Sequence, residues 1–200
     1  MNTLVAYLIV IAVWATTPLG IKWSGEALPA FAAAGSRMAI AAALGLLWLA
    51  ARRQGLPLHR RALSSYAAAL PGIFGAMGCS YMAARDLPSG LISVVFGLAP
   101  LISGVMMQWL PGGTRLNGWH WLACLLGLAG LALVFGDSFA LLFQDGAALV
   151  GDEARRGRGL LWILSAVTLF AASGIVVQRV GAGLAPMQQT VGGLLFSLPL

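Results

Sequence analysis

The stretch LVAYLIVIAVWATTPLGI, residues 4–21, decides the fold. It carries no formal charge and is closed by Lys22. At the rise of an α-helix, about 20 apolar residues cross the ~30 Å hydrocarbon core of a bilayer, and this stretch is close to that length. Only Met1, Asn2 and Thr3 precede it, so the basic segment that opens a secretory signal is missing. The stretch reads as a first membrane helix rather than as a leader.

The same texture recurs along the chain. Apolar runs cover residues 4–21, 30–50, 66–84, 88–110, 119–136, 160–178 and 184–200. Polar punctuation separates them: Lys22 to Pro29 as a short turn, Arg85-Asp86 with Pro88 as another, and Pro111 to Arg115 as a third. Hydrophobic residues make up 60% of the 200, and charged residues 9%; a soluble domain has about a quarter charged. A water-facing surface cannot be built from so few charges without large apolar patches, whereas lipid needs charge only in the loops. The expected fold class is an all-α integral membrane protein with about seven transmembrane helices, a multi-pass protein of the cell (inner) membrane whose surroundings are the lipid bilayer.

The net charge of +6 does not point to nucleic acid. The basic residues fall between apolar runs rather than along one solvated stripe. Residues 51–65 carry Arg52, Arg53, Arg60 and Arg61 and no acid. The positive-inside rule places that loop and the N-terminus in the cytoplasm, and the link over 137–158 outside. Arg155, Arg156 and Arg158 then lie outside with four acids, which weigh little in the rule. Cys79 and Cys124 sit inside apolar runs with no Cys/His set around them, so no metal and no cofactor is expected.

A shift of 157 residues lays Leu4 on Leu161, Lys22 on Arg179, Pro29 on Pro186 and Gly35 on Gly192. Apolar span, cation, proline and second span thus occur twice. Five spans separate the two starts, and an odd number inverts the second unit relative to the first. Inverted repeats with a binding site at the midplane between them belong to secondary transporters. The last run ends at Phe196 to Leu200 with no charged or aromatic anchor after it, which reads as a span cut short and the chain as a fragment.

Several segments resemble the EamA family of the drug/metabolite transporter superfamily. They are Trp14 to Lys22, Pro29 followed by Arg37, Tyr81 to Gly90 with Pro100 beyond it, and Gly118 to Gly136 with Gly127 and Gly130. A second unit opens at Gly159 and runs through Phe170 to Arg179. Two positions depart from the family pattern: Thr114 follows Gly113 where a glutamate is common, and Phe170 replaces a tryptophan. The resemblance implies ten spans in two five-helix units around a central cavity. Residues 1–136 would be the first unit, 137–158 an extracytoplasmic link, and 159–200 the truncated start of the second.

Candidate site residues follow from cost and placement. Arg37 is the one formal charge deep in a span, where insertion costs about 2.5–3.5 kcal/mol. It reads either as a contact for an anion or carboxylate, or as a side chain that snorkels to the outer surface. Trp14, Thr17 and Tyr81 are polar-tipped candidates for a cavity wall, and Ser93 joins them as a substrate-binding candidate. Gly97, Pro100 and Gly104 would let span four bend, as a hinge or as a static kink. Small residues at i, i+4 steps are expected to pack helices: Ala68, Gly72, Ala76, Ser80 and Ala84 in span three, Gly35, Ala39 and Ala43 in span two.

The function expected is a secondary carrier, running as an exporter, that moves small organic metabolites by alternating access. Its partner is a small-molecule substrate, and a homodimer is compatible with it. The alternative is a membrane-embedded accessory or structural subunit without transport of its own. A membrane-embedded enzyme is disfavoured, because the spans hold no paired acids, no metal ligands and no G-x-S-x-G.

Overall fold

The computed structural model describes residues 3–110, 113, 116–134, 150–181 and 183–198, and all elements among them are helices. In chain order they are α1 (Thr3–Ala27), α2 (Ala30–Ala51), α3 (Arg60–Asp86), α4 (Ser89–Gln108), α5 (Gly118–Val134), α6 (Val150–Val180) and α7 (Pro186–Ser197). Five are long and apolar enough to cross a bilayer: α1 to α4, and α6 over Arg155–Val180. Over the described residues α5 has 17 residues and α7 has 12.

The polar turn expected after Lys22 is helix instead. α1 continues to Ala27 because Lys22, Ser24 and Glu26 tolerate a helix and the Ser24 hydroxyl bonds back to the Gly20 carbonyl at 2.6 Å. Pro29 sets the break, since the residue before a proline is pushed out of the helical region. The link expected over 137–158 changes in a similar way. Residues 137–149 lie outside the described set, and from Val150 onward the chain is already α6. Its 31 residues make a rod of about 46 Å, so one end projects beyond the hydrocarbon.

Direction is read from contacts. At one end of α3, Arg158 donates from Nε to Asp86 Oδ2 at 3.0 Å; at the other, Arg61 Nε donates to the Val180 carbonyl at 3.2 Å. α3 and α6 are therefore antiparallel. Ser24 near the end of α1 meets Tyr81 near the end of α3, and Trp14, ten residues earlier, meets Phe170, which lies well along α6 from the Asp86 end, so α1 runs with α3. α1 and α6, the two copies of the repeated helix, thus point in opposite directions. The end of α2 and the start of α7 also lie together, through Gln188 Nε2 donating to the Gly55 carbonyl at 2.8 Å, so α2 and α7 are opposed as well. The inversion expected from an odd number of spans is present in the packing.

The small-residue stripe of α3 packs on α6. Ala76 of the stripe, with Ala83 beside it, sits with Ile163, Ala166 and Val167 in a cluster that includes Leu91, Ile92 and Val95 of α4, and Ala84 packs against it. Pro71 removes the N–H that would reach Ala67, and the helix widens into a π turn over Pro71–Gly75. There the Ser173 hydroxyl of α6 donates to the Ala68 carbonyl at 2.8 Å, and a Cβ on Gly72 would come within 2.5 Å of Ser173 Oγ. In α2 the expected stripe is on the wrong face: Ala39 and Ala43 are exposed and Gly35 has open space beside it. The packed face is Ala34, Met38, Ala42, Gly45 and Leu49, with Gly45 against Val191 of α7. An alanine-rich helix carries several small i, i+4 rows, and only the neighbour selects one.

Candidate functional site

Two groups of side chains lie on one face of α1. Taking 100° per residue, Trp14, Thr17, Ile21 and Ser24 fall within an arc of about 80°. At the upper end of this face Ser24 Oγ and Tyr81 OH are 2.6 Å apart, and Arg37 Nη1 donates to Tyr81 OH at 3.4 Å. Tyr81 is 1% exposed, packed with Ile21, Ala30, Ala33 and Ala34. The protons can run one way: Arg37 to Tyr81, Tyr81 to Ser24, and Ser24 to the Gly20 carbonyl. The phenol is then saturated, and among the described residues Arg37 has no carboxylate partner. Most of its five N–H donors stay available.

The second group lies about ten residues lower on α1. Trp14 meets Phe170 of α6 edge-on, with centroids 5.8 Å apart, and Phe96 of α4 meets the same ring at 6.2 Å. Three helices thus converge here, two of them inverted copies. α4 is discontinuous at this level. Its first half ends at Phe96, Gly97 and Leu98 bond three residues back to Val94 and Val95, and the second half starts at Ala99. Pro100 lies in the first turn of that half, where a missing N–H is tolerated. Pro18 in α1 and Pro100 in α4 each follow an aromatic residue by four positions. Each therefore denies the Trp14 or the Phe96 carbonyl its usual helical donor. The site combines aromatic faces with acceptor oxygens.

The structure brings Arg37 and Tyr81 together directly and sets Trp14 apart from them along α1. Thr17 and Ser93 turn inward on their own helices: Thr17 donates to the Val13 carbonyl at 2.7 Å and Ser93 to the Ser89 carbonyl at 3.1 Å. Their protons are committed, so they offer a solute acceptor lone pairs. Of the hinge candidates, Gly97 lies at the break, Pro100 opens the second half, and a Cβ on Gly104 would stand 2.9 Å from Leu116 Cδ1. Ser24 and Phe96 belong to the arrangement and were not among the candidates. Ser24 is seven residues after Thr17, two helical turns on the same face, and that spacing was the available signal.

No curated protein and no solved structure matches the chain. Residues 1–136, α1 through α5, match the EamA-like transporter family. With that match over most of its length, and with the inverted helix pairs just described, the chain belongs to the EamA-like transporter family and is a multi-pass membrane transporter of small molecules.

Proposed function

We propose that the protein is a secondary carrier that exports small organic metabolites by alternating access. One observation carries this reading: inverted copies α1 and α6 cross at Trp14 and Phe170, beside the break in α4. A broken helix at the contact of two inverted units is where a carrier holds its solute and bends around it. Trp14, Thr17, Arg37, Tyr81 and Ser93 are assigned to the solute, with Arg37 supplying donors and the aromatic rings an apolar wall. Gly97, Pro100 and Gly104 form the bend. The protein is assigned to the inner membrane with its N-terminus in the cytoplasm.

A growth-resistance screen against a panel of organic metabolites tests this, comparing cells expressing the protein, its Arg37→Ala and Trp14→Ala variants, or empty vector. Export predicts that the protein raises tolerance to a subset of compounds and lowers their cellular content, and that the folded variants lose this. Tolerance and content equal to empty vector across the panel would count against export. Full activity of both variants would remove their assignment to the solute.

A further inference from the structure

We infer that Asp86, with Arg155 and Arg158, is a latch that holds the outer end of the carrier shut and has to part when that end opens. The inference rests on the carrier reading. Asp86 is the last residue of α3, and its side chain is only 6% exposed. Arg158 grips it with two bonds, Nε to Oδ2 at 3.0 Å and Nη2 to Oδ1 at 3.3 Å, and Arg155 Nε stands 3.6 Å from Oδ1. Both arginines lie one turn apart near the start of α6, with side chains 61% exposed. The pair therefore joins the matched family unit to the helix that opens the second unit. Beneath it the backbones are pressed together: a Cβ on Gly159 would lie 2.7 Å from Leu87 Cγ and 3.0 Å from Asp86 Cβ.

The two ends of α3 differ in how α6 and α7 hold them. At the end of Arg61 the ties are several and close. Arg61 bonds the Val180 carbonyl, and Ser65 and Gln189 exchange two bonds of 2.6 and 3.1 Å. The Tyr66 ring lies on Gly192. At the Asp86 end the packing is aliphatic, which lipid can replace at little cost. The directional tie there is ionic. An ion pair whose cations reach water is nearly balanced between Coulomb attraction and hydration, so it can part and re-form. Leaving the carboxylate buried without its cations would be costly, so the pair opens with the gap, not within it. That is the behaviour of a latch.

The chain carries its own reporter. Cys79 lies seven residues before Asp86, two turns down the same face of α3, half-buried against the α3–α6 cluster. In a Cys124→Ala background, a membrane-impermeant maleimide is applied to intact cells and to inside-out vesicles, and the labelling rate of Cys79 is read. The latch predicts slow labelling of the parent protein. It predicts labelling at least about tenfold faster from the Asp86 side in Asp86→Asn, which corresponds to ~1.4 kcal/mol on the open–closed equilibrium. The exchanged pair, Asp86→Arg with Arg158→Asp, returns the rate toward the parent. Should Asp86→Asn fail to elute as a single folded species, Arg158→Gln, altered on an exposed side chain, takes its place. Parent-like labelling in the single variant overturns the latch, and so does an exchanged pair that stays as fast as the single variant. No substrate enters the measurement, so a negative resistance screen and a negative labelling result fail separately.

Discussion

At the scale of single residues, the same side chain has opposite consequences according to what lies beside it. Gly35 and Gly45 both sit in α2. A Cβ at Gly35 meets nothing within 4 Å, whereas one at Gly45 would stand 2.5 Å from Val191 Cγ2, on a β-branched side chain with little rotameric freedom. Gly35→Ala should be neutral or stabilise by about 0.5–1 kcal/mol through helix propensity, and Gly45→Ala should destabilise by about 1–3 kcal/mol through overpacking. Thermal unfolding in detergent checks the pair, and equal effects would contradict the assigned α2 face. Tyr81 offers a second case. Tyr81→Phe keeps the ring, leaves Ser24 its bond to Gly20, and removes the acceptor for Arg37. Stability should fall by about 1 kcal/mol, the usual net worth of such a hydrogen bond. If Arg37 holds an anionic solute, apparent solute affinity should shift more than turnover in a concentration series. Arg37 was legible in the sequence because an isolated charge in an apolar run is conspicuous. Its partner chain through Tyr81 to Ser24 was not, because 44 and 57 residues separate those contacts along the chain.

At the scale of elements, length and apolar content located the spans, and the structure moved their ends. Helices overran the apolar runs wherever the flanking residues tolerate helix, at Lys22 to Ala27, at Arg60 to Ser65 and at Val150 to Arg158. Hydropathy reports lipid contact, while hydrogen bonding and proline placement end a helix, so the two boundaries need not agree. The kink in span four was legible from Gly97 and Pro100, and its depth beside Phe170 was not. Pro100→Ala restores an N–H that could join the halves of α4. Folding yield should be unchanged, and transport rate should fall several-fold if the break is used as a bend. Unchanged rate in a folded variant would make the kink a packing feature only. In α3 the Ser173 hydroxyl serves the Ala68 carbonyl next to the π turn. Ser173→Val keeps much of the volume and removes the donor, and it should cost about 1–3 kcal/mol in detergent stability.

At the scale of the whole molecule, the direction in which each helix crosses is what matters. The proposed orientation, N-terminus inside, predicts that alkaline phosphatase fused within 137–158 is active, and an inactive, stable fusion would reverse the orientation. Membership of the membrane class, the number of apolar runs and the presence of a repeat were determined by the sequence itself. They depend on local composition, which lipid reads one helix at a time. Which faces meet was decided only by the tertiary structure. Lipid is as apolar as the side chains, so no hydrophobic pattern marks the buried side of a membrane helix, and close contacts such as Gly72 with Ser173 and Gly192 with Tyr66 select it. The stretch 4–21 announced a membrane helix. Its sharing of one aromatic contact with an inverted copy of itself emerged only when α1 and α6 were placed side by side.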